Sequence, residues 1–210
     1  MQTKIRGIQI GTTDEQDFVA SRDGELRVAQ YLPKYAQLTA AGKVFGWTMA
    51  AGVAKAPYTA MPTTTGTWAV YNANVGGGPH LVILRVMCAS VSGTLGLGLA
   101  LVGTTCIGAQ TAVVANYASS IMSCLDGSAD QPSAYVSNAV TLIGTQSAWL
   151  TLAAHDQVAA VSVGTGLVAE VDGLFIVPPK HSFAFGVLGA AGTSDLFDVN
   201  IIFAEVQLDV

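Results

Sequence analysis

Charge is scarce in this chain. Asp, Glu, Lys and Arg together make up 11% of its 210 residues, against 51% hydrophobic residues. Disordered chains show the opposite balance, so the sequence is that of a folded protein. A net charge of −5 argues against a nucleic-acid backbone as partner. Cysteine is scarce too: Cys88, Cys106 and Cys124 are the only three. An odd count without a Cys-x-x-Cys pair fits neither a disulfide framework nor a zinc site. Buried free thiols, formed in a reducing cytoplasm, are the expectation. The opening residues Met1 to Arg6 have no apolar h-region, so no secretory signal is expected.

Catalytic motifs are missing as well. No Gly-x-Ser-x-Gly elbow supplies a nucleophile. His155-Asp156 is the nearest acid–base pair in sequence, but neighbours on a strand point to opposite faces, so a polar loop pair is expected. His80, His155 and His181 are isolated from one another and give no ligand spacing for a metal. Gly76-Gly77-Gly78 lacks the Gly-Lys-Ser/Thr and the helix of a phosphate loop. Asp126, Asp130 and Asp172 lack the alternating spacing of a calcium loop. Trp47, Trp68 and Trp149 could line a sugar-binding face, though core or interface anchoring is the commoner use of tryptophan. No catalytic residue, cofactor or metal site is therefore assigned, and no enzyme is expected.

Between Arg85 and Asp126 there is no charged residue at all. A membrane helix is nevertheless not the expectation, because glycines, threonines and Gln110 interrupt the apolar run that a span of about 20 residues needs. Leu95, Leu97, Leu99 and Leu101 instead alternate with Gly96, Gly98, Ala100 and Val102, which is strand periodicity with one small-residue face.

What the sequence does have is period-two alternation and turns. The stretch Leu167 to Val210 carries most of it. Two β-prone runs, Leu167 to Val171 and Leu174 to Val177, flank Asp172-Gly173, a hairpin signal because both residues of a primed turn need positive φ. Pro178-Pro179 stops the second run. Ser182 to Leu188 follows, and then Phe197 to Phe203, with Phe197, Val199, Ile201 and Phe203 on one face. The phase then shifts to Val206 and Leu208, which predicts a bulge near Ala204-Glu205. Four antiparallel strands of one β-sandwich are expected here.

Earlier in the chain, Lys43 to Ala50 and Thr67 to Tyr71 read as strands, with a glycine turn at Val75 to Pro79. Leu81 to Ser90 is the most buried candidate. Its apolar residues divide into Val82, Leu84, Val86 and Cys88 on one face and Leu81, Ile83 and Met87 on the other, with Arg85 the exception. Ser92-Gly93 turns it into Thr94 to Val102. Thr111 to Ala115 and Tyr117 to Met122 are open between strand and short helix; Ala139 to Ile143 and Ala148 to Ala153 read as strands. Short strands at roughly ten-residue spacing, without a long amphipathic helix, point to an all-β sandwich, best matched by a jelly roll.

Residues 1 to 41 differ from the rest. Residues 1 to 43 hold six of the nine basic residues and five of the fourteen acids, with sparse apolar positions. Asp17 to Gln30 reads as a small hairpin turning at Asp23-Gly24, and a short helix after Pro33 is possible by pattern. Such a segment orders against a partner rather than alone. The expected organisation is an extended arm, 1–41, followed by a β-sandwich, 42–210. Arg6, Arg22, Arg27 and Lys34 are the arm's candidate partner-binding residues.

Several stretches together carry a resemblance: Asp23-Gly24-Glu25-Leu26-Arg27-Val28, Gly42-Lys43-Val44-Phe45, Ala69-Val70-Tyr71-Asn72, Leu81-Val82-Ile83-Leu84, Val91-Ser92-Gly93-Thr94-Leu95-Gly96, Glu170 to Pro179 and Phe203-Ala204-Glu205-Val206. In these the chain resembles virion structural proteins of tailed bacteriophages. The resemblance implies a jelly-roll-like sandwich that oligomerises on or in a virion, and it carries over no catalytic or binding residue. The expected function is a self-associating capsid-associated protein, of decoration, cement or minor capsid type. It would be made in the host cytoplasm, with a homotrimer and other virion proteins as partners and neither nucleic acid nor membrane. A tail-associated carbohydrate- or receptor-binding sandwich is the alternative.

Overall fold

The computed structural model describes residues 5–8, 15–18, 33–49, 54–107, 110–111, 121–128, 132–143, 146, 148–156, 161–162, 166–190 and 193–208. The chain divides into two compact units, Met1–Ala36 and Gln37–Val210. In the first, β1 (Ile5–Ile8) pairs antiparallel with β2 (Glu15–Phe18), which sets Arg6 opposite Asp17 in the backbone register. The turn expected at Asp23-Gly24 lies outside the described residues. The short helix after Pro33 is α1 (Ala36–Ala40).

After α1, the regular structure among the described residues of the second unit is all β. Its strands are β3 (Val44–Thr48), β4 (Thr65–Asn72), β5 (His80–Ser92), β6 (Thr94–Leu95), β7 (Leu99–Cys106), β8 (Gln110–Thr111) and β9 (Met122–Ser123). They continue as β10 (Ala134–Leu142), β11 (Leu150–His155), β12 (Val161–Ser162), β13 (Gly166–Glu170), β14 (Ile176–Val177), β15 (Ser182–Gly189) and β16 (Leu196–Val206). Two antiparallel sheets pack together as a β-sandwich. Sheet I runs β13-β5-β16-β3-β9, with β14 also on β5; sheet II runs β11-β7-β15-β4-β10-β8. A separate short pair joins β12 to β6.

The core lies between the sheets. Sheet II contributes Trp68, Val70, Phe183 and Phe185; sheet I contributes Leu81, Ile83, Phe197, Ile201 and Phe203; all are fully buried. Phe183 sits at the centre of an aromatic chain, 5.0 Å from Phe175 and 5.7 Å from Phe185 between ring centroids. Offset aromatic contacts at such distances are favourable beyond their buried area. The sheets are also tied at one rim by Asn72, whose Nδ2 donates to Pro79 O and Val177 O, each at 2.9 Å. Pro79 O also accepts from Asn74 Nδ2 at 3.2 Å, and such pairing offsets the cost of burying backbone carbonyls.

Four expectations are corrected. First, Asp172 and Gly173 do have positive φ, 53° and 84°, and Leu174 N closes the turn on Val171 O at 2.9 Å. The flanking runs nevertheless do not pair with each other. Both β13 and β14 pair with β5, so the turn is a kink in an edge strand rather than a hairpin. Second, the register of β16 on β5 shifts between Ile202 and Phe203, where Leu84 is the extra residue on β5, and not at Ala204-Glu205. Third, that bulge reverses the facing of β5 halfway along. Leu81 and Ile83 therefore share the inner face with Val86 and Cys88, while Val82, Arg85 and Met87 face outward. The kink and the bulge coincide: Val171 N and Asp172 N both donate to Leu84 O, at 2.8 and 2.9 Å. Fourth, the run Thr94 to Val102 after Ser92-Gly93 is not one strand but β6 and the start of β7. β6 pairs with β12, and β7 lies in the other sheet, between β11 and β15.

The kink makes its own prediction. A Cβ on Gly173 would lie 3.2 Å from Val82 Cγ1, on a backbone that L-residues rarely adopt. Gly173→Val should lower stability by about 1–2 kcal/mol, read as a lower denaturant midpoint at unchanged slope. An unshifted midpoint would count against the turn.

No helix among the described residues is long and apolar enough to cross a membrane. In the uncharged stretch, Leu99 and Leu101 are buried on β7, and Leu97 is exposed ahead of it.

Candidate interaction surface

The outer faces of the two sheets differ. On sheet II the chain covers its own back. β15 is buried along nearly its whole length, on both faces. Tyr58 N donates to Val187 O at 2.7 Å and Gly189 N to Tyr58 O at 2.9 Å, so the segment before β4 lies along β15. The residues after β10 return to β7, where Cys106 Sγ donates to Ile143 O and Thr104 Oγ1 to Ala148 O, each at 3.3 Å. A second small core forms there from Ala69, Cys106, Val140, Leu142 and Ala184, with Trp149 against it.

On sheet I the outer side chains alternate with the core ones; Val44 and Ala204 are buried there, while those around β13, β14 and the facing part of β5 stay accessible. The register sets them in rows. Val168 stands beside Met87 and Asn200; Glu170 beside Arg85 and Ile202; Ile176 beside Val82. Val168 is 57% exposed and Ile176 42%, and Leu174 on the kink is 71% exposed. Arg85 forms an ion pair with Glu170 in the middle of this apolar field. The pair is nearly half exposed, so it adds little to folding stability. Nearby, burial raises the Asp198 carboxyl above its ordinary value, against the pull of its hydrogen bond to the Val199 backbone.

The residues singled out from sequence fall as follows. His155 and Asp156 line the same open depression of about 560 Å³, together with Thr59, Gly98, Leu99 and Leu188. β11 ends at His155, so Asp156 already lies outside the strand. His80 is buried at the start of β5, and its Nδ1 has no partner. His181 Nδ1 donates to Pro179 O at 2.9 Å. No cluster of three or more His, Cys, Asp or Glu able to hold a metal occurs among the described residues. Trp47 and Trp68 are core residues, and Trp68 Nε1 donates to Met49 Sδ at 3.0 Å, so neither forms a sugar-binding face. Of the arm cations, Arg6 belongs to β1 and Arg22 and Arg27 lie outside the described residues. Lys34 places its Nζ 5.0 Å from the Tyr35 ring centroid, a cation–π contact.

The cysteines are free, as expected, but Cys124 is exposed rather than buried. Burial pushes the Cys88 thiol up to about 11, and the backbone hydrogen bond with Leu167 offsets only part of this. The Cys106 thiol is raised by burial as well. Burial raises the Cys124 thiol too, but its exposure lets a reagent reach it, so a disulfide reagent at neutral pH should titrate one thiol ahead of the others in the native protein and three in denaturant. Fast reaction of a second native thiol would contradict this packing.

The Arg85–Glu170 pair was only half legible. Arg85 is visible in sequence as the one charge in an apolar strand, but its partner depends on the β13–β5 register, which no local pattern encodes. No protein-family model matches the chain, and searches of curated proteins and of solved structures likewise return no match.

Proposed function

We propose that this chain is a non-enzymatic structural protein of a bacteriophage virion, made in the host cytoplasm. In this reading it associates with copies of itself and with the capsid shell, as a decoration, cement or minor capsid component. The observation that carries the proposal is an asymmetry of the sheets: the middle of one back, along β15, is covered by the chain itself, whereas β13, the kink and β14 on the other present Val168, Leu174 and Ile176 to the surroundings. Exposed apolar patches of this kind favour a contact with another macromolecule.

The strand order supports a jelly roll. β3-β16-β5-β13 faces β4-β15-β7-β11, four strands in each sheet, with β10 and β8 added beyond β4. Capsid and lectin domains commonly use that architecture. Apart from Asp23 to Val28, which lies outside the described residues, the stretches that carry the resemblance lie on strands and turns of this framework. The arm, 1–41, is the second connector in this reading. Through Arg6, Arg22, Arg27 and Lys34 it reaches a neighbouring subunit of a homotrimer, or the shell, by contacts that salt weakens.

One observation favours the receptor-binding alternative. Tyr71 and Tyr135 lie side by side on sheet II, 6.4 Å between centroids and 16° from parallel, with Tyr135 40% exposed. Such a platform suits a sugar ring.

The test uses the full-length protein. Light scattering should give a multimer, and the protein should co-sediment with phage shells stripped of it, less so as salt rises. A monomer that ignores shells and is retained on a glycan array would overturn the structural reading in favour of the receptor-binding one.

A further inference from the structure

We propose that the outer face of sheet I is a two-fold contact between copies of this chain, in which Arg85 of each copy meets Glu170 of the other. This rests on the self-association reading and assigns its surface.

The argument is one of self-complementarity. Three rows cross the strands β13/β14 and β5: Val168 beside Met87, Glu170 beside Arg85, and Ile176 beside Val82. The central row holds one acid and one base, already close enough to form an ion pair within the subunit. The outer rows are apolar on both strands. A two-fold axis running along the strand direction, between β5 and its edge neighbours, exchanges the two columns. It lays Val168 over Met87, Ile176 over Val82, and Glu170 over Arg85. Every row therefore meets its chemical complement in an identical copy, as an isologous interface requires.

A second copy suits this face better than an unlike partner does. Within its three rows Arg85 and Glu170 offset each other, with Asp172 on the kink and Asp198 on β16 at the border. Burial there removes apolar side chains from water, and it converts a solvent-screened ion pair into a four-charge cluster with alternating sign. Charge pairs in such a contact set partner and register more than affinity. The contact multiplies by two whatever order the arm sets: dimers from monomers, hexamers from trimers.

The test exploits the symmetry. Arg85→Glu gives a face with two acids, and Glu170→Arg a face with two bases. Each variant alone should have half the wild-type mass by light scattering at the same concentration. An equimolar mixture of the two should regain the full mass, because two acids then face two bases. The double variant Arg85→Glu/Glu170→Arg should keep the full mass. Val168→Lys, an exposed change that spares the ion pair, should halve the mass with an unchanged circular-dichroism spectrum. Single variants that keep wild-type mass, or a mixture that fails to regain it, would overturn the contact. Shell binding measured on the same samples separates the two ideas. Binding that survives while mass ignores the swaps sinks this contact alone, whereas loss of shell binding by the wild type sinks the virion reading.

Discussion

Gly93→Ala should cost about 2–5 kcal/mol, out of proportion to one added methyl group. Two independent penalties meet there. Gly93 has a φ of +93°, where an L-residue is strained by about 1–2 kcal/mol. A Cβ built on it would also lie 2.5 Å from Ser194 O and 2.9 Å from Asp195 Cα, both backbone atoms. Backbone cannot step aside as a side chain can, and overpacking of this kind costs about 1–3 kcal/mol. The neighbours are themselves held. Ser194 N donates to Thr94 O at 3.0 Å, and the buried Asp195 side chain accepts a hydrogen bond from Ser90 Oγ. Moving this segment away from Gly93 disturbs that buried polar contact. Gly77 supplies the control, since it has a φ of +78° but nothing within 4 Å of its would-be Cβ. Gly77→Ala should show the conformational strain alone. Denaturant midpoints decide the matter: equal losses at the two positions would mean that the close approach at Gly93 carries no weight.

Gly93 also illustrates what sequence can and cannot tell. Ser92-Gly93 is readable as a chain reversal, but the reason that the position must be glycine is a backbone about a hundred residues away. The same division runs through the fold. Alternation in β16 correctly assigns Phe197, Val199, Ile201 and Phe203 to one face, and all four are fully buried. Asp172-Gly173 correctly announces positive φ. Both are local signals, set by side-chain period or by steric limits on φ. Partner choice is not local. β15 and β16 follow one another yet lie in different sheets, and β13 and β14 share β5 instead of each other. A period of two says which side chains share a face, never which strand stands alongside. The bulge at Leu84 misled further, because one extra residue exchanges inside for outside over half of β5. The outward face that it creates, with Arg85 in it, is the surface proposed for association. That surface was therefore hidden by the same residue that builds it.

Phe183→Ala should be the most damaging truncation in the core, at about 3–5 kcal/mol. Phe183 is fully buried, lies between Phe175 and Phe185, and belongs to β15, which pairs with both β4 and β7. Its ring also explains Gly103 on β7. A Cβ there would stand 2.9 Å from Phe183 Cζ and 3.0 Å from Leu152 Cδ1, so the ring occupies the space that a side chain would need. Gly103→Ala alone should therefore destabilise by about 1–3 kcal/mol through overpacking. The two changes should not add. With the ring gone, the new methyl enters the vacated volume, and the double variant should be more stable than the sum of the single losses predicts. A coupling of about 0.5–3 kcal/mol is usual for residues in contact. The cycle is read from four denaturant curves with a common slope. Strict additivity would mean that the Phe183 ring does not fill the space over Gly103, and that the glycine stands there for another reason.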